Sequence, residues 1–254
     1  MSKRRIQEEE EEESDIDISS TDSENSEGEE EEEEEIVNVD FDFFDINKDI
    51  DFHAIKNLTR QLLGEDSKKL QISPLADLIL EAPTITIKTD GKDSDPYAFL
   101  SALNLKELKS NDYIKYIHKA DAQLSSNLNK ISHKNNALLL GERMINMPIQ
   151  VIPAIYKLTL EEAEKANGEA YDNYLLPSRK YEINEETEDN SKKRIKTVEV
   201  DFFHFEDQFF EENASFKTQL QSRGGVLQTF MVLTHDNLIK SISQLEDTIS
   251  EIFG

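Results

Sequence analysis

The chain has 254 residues, no cysteine and a formal net charge of −26. Without cysteine there are no disulfides and no thiolate metal sites, which fits a reducing intracellular setting. No apolar run approaches the length that spans a bilayer, and the opening MSKRRIQEEE lacks the apolar core of a secretory signal, so no membrane association is expected.

The charge is segregated. Residues 1–40 hold 19 Asp and Glu against 3 Lys and Arg, a net of −16. The remaining residues hold 35 acids and 25 bases, a net of −10. Such a field repels nucleic acid and attracts cationic protein, so a basic partner protein is expected and direct nucleic-acid binding is not. Residues 1–35 contain almost nothing apolar to offset the entropy of ordering, and are expected to be a disordered acidic tail. Residues 36–254 are expected to form the folded domain.

The pattern changes at Ile36. Val37, Val39, Phe41 and Phe43 alternate with Asn38, Asp40 and Asp42, predicting a strand with one apolar and one acidic face. In DIDFHAIKNLTRQLLG, apolar residues from Phe52 to Leu63 recur at helical spacing and Gly64 can end the helix. Ser73 and Pro74 open a second helix, SPLADLILEA. Thr84 to Lys88 reads as a short strand closed by an Asp90-Gly91 turn. DPYAFLSALNL reads as a turn and then an apolar strand. Residues 111–131 read as helical and Asn136 to Asn146 as a strand. After Pro148 and Pro153, a capping box at Thr159 and Glu162 predicts a helix ending at Gly168. Residues 184–194 are a charged loop and Val198 to Phe205 a strand. FEDQFFEENA is a short helix. Val226 to Leu233 is a strand covered on both faces. The last helix starts near His235 and carries a stripe of Leu238, Ile242, Leu245, Ile249 and Ile252. Strands alternating with helices predict an α/β (α+β) domain, a mixed sheet flanked by helices.

Catalytic signatures are missing from this sequence. His53, His118, His133, His204 and His235 have no close partner at metal-ligand spacing and read as surface or structural residues. There is no nucleophile elbow and no usual nucleotide-binding loop. No catalytic residue, metal or cofactor is expected.

The acidic residues carry the functional expectation. Glu29, Glu30, Glu31, Glu32, Glu33, Glu34 and Glu35, with Asp40, Asp42 and Asp45, are the candidate electrostatic docking surface for a basic client. A polyanion holds condensed cations that a Lys/Arg-rich partner displaces. Ser14, Ser19, Thr21 and Ser26 each have an acid three residues on and are candidate phosphosites. Lys3, Arg4 and Arg5, and Lys192, Lys193 and Arg194, are candidate nuclear import signals. MINMPIQVIPAIY reads equally as an exposed binding run or as core.

The stretches DFFDINKDIDFHAIKNLTRQLL, DPYAFLSALNL, LLLGERMINMPIQVIPAIYKL and VDFFHFEDQFFEENA resemble the BCCIP family in its fungal branch, over roughly residues 36–252. The most specific is GERMINMP, Gly141 to Pro148. The resemblance implies a nuclear protein that shuttles to the cytoplasm. It implies a non-enzymatic chaperone or escort for basic clients, including a large-subunit ribosomal protein, acting with the nuclear transport machinery in export and ribosome biogenesis. It also implies a fold like the GCN5-related acetyltransferases, which makes an acetyl-CoA-dependent N-acetyltransferase one rival; a histone chaperone, which shares the acidic physics, is the other. That fold needs an R/Q-x-x-G-x-G/A loop at a helix N-terminus to hold the pyrophosphate. QLLGED (Gln61 to Asp66) ends in Asp and closes a helix, and QSRGGV (Gln221 to Val226) ends in Val and leads into a strand.

Overall fold

The computed structural model describes residues 39–186, 196–220 and 225–254. The elements in order are β1 (Asp42–Asp45), α1 (Phe52–Leu63), α2 (Ile72–Glu81), β2 (Thr84–Lys88) and β3 (Ala98–Asn104). Then follow α3 (Asp112–Ala120), α4 (Ala122–Ile131), β4 (Asn136–Arg143), α5 (Ile152–Asn167), β5 (Asn173–Glu186) and β6 (Lys196–Phe202). The chain closes with α6 (Asp207–Asn213), β7 (Phe216–Gln219), β8 (Val226–Thr234) and α7 (His235–Phe253).

The strands form one mixed sheet in the order β1-β2-β3-β4-β5-β8-β7, with β6 also paired to β5. Every pairing is antiparallel except β4 with β5, which are parallel and joined through α5. Parallel neighbours need such a crossover. Period-two alternation sends Phe99, Leu138, Leu140, Leu175, Phe230 and Val232 to a core roofed by α1–α4. Leu100, Leu139, Tyr174, Leu176, Met231 and Leu233 go to a second core under α5–α7. The mixed sheet flanked by helices expected from the sequence is therefore the fold observed.

Local chemistry sets the boundaries. Asn111 caps α3 by accepting from Tyr113 N, and Asp121 caps α4 by accepting from Leu124 N. The helix expected over residues 111–131 is thus two helices, broken where Asp121 takes extended backbone. Gly168 ends α5 in the left-handed conformation, φ 83°, which glycine adopts without a Cβ penalty. The start of that helix differs from expectation. It begins at Ile152 with Pro153 in its first turn, and Thr159 lies buried at mid-helix with its hydroxyl donating to Leu100 O. The TxxE spacing there serves packing instead of capping, because the apolar face continues upstream through Ile152, Ile155 and Tyr156.

Three further boundaries move. β1 starts at Asp42, and of the expected strand Val37 and Asn38 lie outside the described residues. β4 ends at Arg143 and β6 at Phe202, both earlier than expected. Of the charged stretch 184–194, β5 takes in residues to Glu186, and 187–194 lie outside the described residues. On α7, Leu238, Ile242, Leu245 and Ile249 are buried as the stripe predicts, but Ile252, in the last turn, is 58% exposed.

Candidate functional site

β4 and β5 stay paired only from Asn136–Leu138 to Asn173–Leu175. Farther on they part, and β6 takes up the same edge of β5 from Lys180. Between these pairings Leu176, Pro177 and Ser178 of β5 face a gap. Proline has no N–H to give a ladder, so Pro177 fits a strand segment with no neighbour on that side. Gaps of this kind, at the carboxyl ends of parallel strands, are where open α/β sheets bind ligands.

Here the gap is filled by the protein's own charged side chains. Glu142, buried at the end of β4, accepts from Arg179 Nη2 through Oε2, and its Oε1 lies 2.9 Å from His204 Nε2. Arg179 also donates Nη1 to Gln61 O at 2.8 Å, and its guanidinium packs 4.8 Å from the ring centroid of Phe203. Arg143 donates Nε and Nη2 to the two carboxylate oxygens of Glu206, at 3.3 and 3.1 Å. Ser178 Oγ donates to Asp207 Oδ2 at 2.6 Å. Two-pronged Arg–carboxylate pairs of this type hold geometry as well as charge. The network ties β4, β5, the start of α6 and the end of α1 together. The remaining cavity is about 50 Å³, far below the roughly 300–1,000 Å³ of a small-molecule pocket.

The buried charges shift one another. Burial pushes the Asp207 carboxyl up to about 7; the charge of His204 pulls it down and that of Glu206 pushes it up. For His204, burial opposes protonation, but the bond to Glu142 and the carboxylates of Glu206 and Asp207 outweigh it and hold the imidazole above its ordinary value. Burial, reinforced by Glu206 and Asp207, raises Tyr156 well above the usual phenol range. His204 Nδ1 is buried with no hydrogen-bond partner among the described residues.

The loop that would cradle a pyrophosphate in this βαβ unit is the one between β4 and α5. It is Met144–Val151, which contains no glycine, and Pro148 within it has no N–H to offer. QLLGED lies elsewhere, at the end of α1, where Asp66 accepts from Tyr116 OH. Residues 221–224 of QSRGGV lie outside the described residues. Among the described residues, no group of His, Asp and Glu is arranged to hold a metal ion.

The sequence-predicted docking residues are only partly visible. Asp40, Asp42 and Asp45 are exposed. Asp42 and Asp45, an odd number of positions apart on β1, point to opposite faces of the sheet, and Asp45 lies within electrostatic reach of Lys165 on α5. Glu29–Glu35, Ser14, Ser19, Thr21, Ser26, Lys3–Arg5 and Lys192–Arg194 lie outside the described residues. MINMPIQVIPAIY divides: Met144 and Ile145 are exposed, Ile145 by 84%, whereas Met147, Ile152, Ile155 and Tyr156 are core. The Glu142–Arg179–His204 cluster escaped the sequence reading. Its signal was charge placed directly after apolar strand, as in ALLLGER, and acids beside a histidine in HFED.

Fold and site together define an α/β scaffold whose sheet opens onto a self-filled ion-pair cluster. The chain belongs to the BCCIP family, whose model matches residues 36–210. Protein BCP1 of Saccharomyces cerevisiae is 50% identical over 229 residues, covering 83% of this chain and 81% of that protein. Protein bcp1 of Schizosaccharomyces pombe is 41% identical over 201 residues, covering 68% of this chain and 71% of that protein. The crystal structure of BCP1 from Saccharomyces cerevisiae is similar with a TM-score of 0.75 at 48% identity, covering 89% of this chain and 96% of that chain.

Proposed function

We propose that this protein is a non-enzymatic nuclear escort that holds basic client proteins, of the large-subunit ribosomal class, and accompanies them through export during ribosome assembly. It shuttles to the cytoplasm with the nuclear transport machinery and contacts neither nucleic acid nor membrane directly. The observation that carries this reading is the segregation of charge, 19 acids against 3 bases in residues 1–40 of a chain with net charge −26. Clustered exposed charge accelerates encounter with an oppositely charged partner, and contacts of fitted shape then slow its departure.

The folded domain offers a surface for those contacts. Tyr97, Met144 and Ile145 are exposed around the turn after β4, where Met144 N donates to Tyr97 O at 3.0 Å. Exposed Asp93 and Asp95 lie just before Tyr97 in the chain, so this apolar patch has an acidic border suited to a cationic client. The filled gap between β4 and β5, and the glycine-free turn before α5, support a binding scaffold over an acetyltransferase.

Titration of a large-subunit ribosomal protein into the full chain, a chain lacking residues 1–35, and a chain with that segment scrambled tests the reading at two salt concentrations. Intact and scrambled forms are expected to bind with the same steep salt dependence, and deletion to flatten it while leaving weaker binding. Scrambling that abolishes binding as fully as deletion overturns the electrostatic account. Core histones binding more tightly than the ribosomal protein would favour the histone-chaperone rival. Saturable acetyl-CoA binding by calorimetry at millimolar ligand, where affinity is worth only about −4 kcal/mol, would favour the enzyme.

A further inference from the structure

One stretch of the folded domain carries a net positive charge in an otherwise acidic chain. From Asn104 to Asn136 the chain carries six lysines and three acids. Two of those acids serve the backbone: Asp112 accepts from Gln71 N at 2.7 Å and Asp121 from Leu124 N at 2.7 Å. None of the six lysines forms an ion pair among the described residues. In a chain of net charge −26, acids are plentiful and pairing them with exposed lysines is easy. A block of unpaired lysines therefore stands out.

The block has a concave centre. The end of β3, α3 and α4 enclose a groove of about 370 Å³, within the range of small-ligand and peptide-side-chain pockets, roughly 300–1,000 Å³. Lys106 and Lys109 stand on its rim and His118 on its wall, while Ile114, Leu128 and Ile131 give it an apolar floor. His118 Nδ1 lies 3.1 Å from Ser125 Oγ, which fixes α3 against α4.

We propose that this groove docks a short acidic segment of a partner protein, one in which carboxylates alternate with aliphatic side chains. The carboxylates pair with Lys106 and Lys109, and the aliphatic groups cover Ile114, Leu128 and Ile131. A nucleic acid fits less well. Its lining residues include no arginine, phenylalanine, tyrosine or tryptophan, the groups on which single strands chiefly stack. A long polyanion also feels the whole protein's negative field, whereas a short peptide senses charge within a Debye length of about 8–10 Å. The proposal is independent of the basic-client reading and assigns the molecule a second docking surface of opposite polarity.

The test is fluorescence anisotropy of the full chain with a labelled short peptide of interspersed Glu and Leu, at low salt. Saturable binding is expected. The double variant Lys106→Glu, Lys109→Glu should weaken it about tenfold or more, the equivalent of about 1.4 kcal/mol. Lys240→Glu, an exposed unpaired lysine on α7, should leave it unchanged. A peptide of Glu and Ser, with the same charge and no aliphatic groups, should bind more weakly than the Glu-Leu peptide. Binding of a basic ribosomal protein by the double variant should be undiminished, which separates failure here from failure of the escort reading. The proposal is overturned if the Glu-Leu peptide does not saturate, if the double variant binds it as tightly as the parent, or if single-stranded RNA binds more tightly through the same two lysines.

Discussion

Lys88 Nζ donates to Asp51 Oδ1 at 2.7 Å, and both side chains are wholly shielded from solvent. The lysine belongs to β2 and the aspartate immediately precedes α1. The same ammonium donates to Lys92 O at 2.8 Å, and Asp51 Oδ2 accepts from Asn47 N at 2.8 Å. One ion pair thus joins β2, the turn that follows it and the start of the first helix.

Lys88→Met leaves the Asp51 carboxylate buried and without its cation. Breaking one side of such a pair typically costs about 3–5 kcal/mol. Urea unfolding of Lys88→Met is expected to show a loss of that size. The double variant Lys88→Met, Asp51→Asn should lose less than the two single losses combined. Additive losses would mean the two groups are not coupled.

Asp207 makes stability depend on pH. Its folded value of about 7 lies above the unfolded aspartate value of about 3.9. Its contribution is therefore fully present below about pH 4, declines as pH rises, and is gone above the folded value. His204, also raised, acts in the same direction through its own titration. Asp207→Asn keeps a partner for Ser178 and cannot ionise. Wild type should lose on the order of 1–4 kcal/mol relative to this variant between about pH 5 and 8, read from denaturation midpoints at the two pH values. Parallel pH profiles would contradict the assignment.

Gly141→Ala should destabilise although the position is ordinary strand. A Cβ there would stand 2.7 Å from Leu100 Cδ1 and 2.9 Å from Phe99 O. The leucine can rotate away, but the carbonyl belongs to the β3–β4 ladder. Overpacking of this kind costs about 1–3 kcal/mol, and thermal unfolding of the variant will show it.

Leu245→Ala opens a hole in the core under α7, where the residue is fully buried. The expected loss is about 2–5 kcal/mol. Ile252→Ala, on the same sequence stripe but exposed, should change the midpoint little. Equal effects would mean the last turn of the helix packs.

Much of the fold was legible in the chain itself. An unbroken apolar run marked β8 as a strand covered on both faces, DPYAFLSALNL marked β3 as an apolar strand, helical spacing marked α1 and α7, and Gly168 marked the end of α5. These signals are local, because a strand repeats every two residues and a helix every three or four. The errors were local too. Thr159 and Glu162 have the spacing of a cap, and only the apolar face continuing upstream shows that the helix had already begun.

The site was not legible in this way. His204 meets Glu142 across 62 positions and Arg143 meets Glu206 across 63, while the lysine groove gathers residues from the end of β3, α3 and α4. By itself the sequence determined the charge segregation, the residues that must be buried and the type of most elements. Tertiary structure alone decided which charges face one another, that the gap between β4 and β5 is filled from within, and which half of MINMPIQVIPAIY is surface. Burial and pairing set the energy of a charge, and both depend on neighbours in space that no local period records.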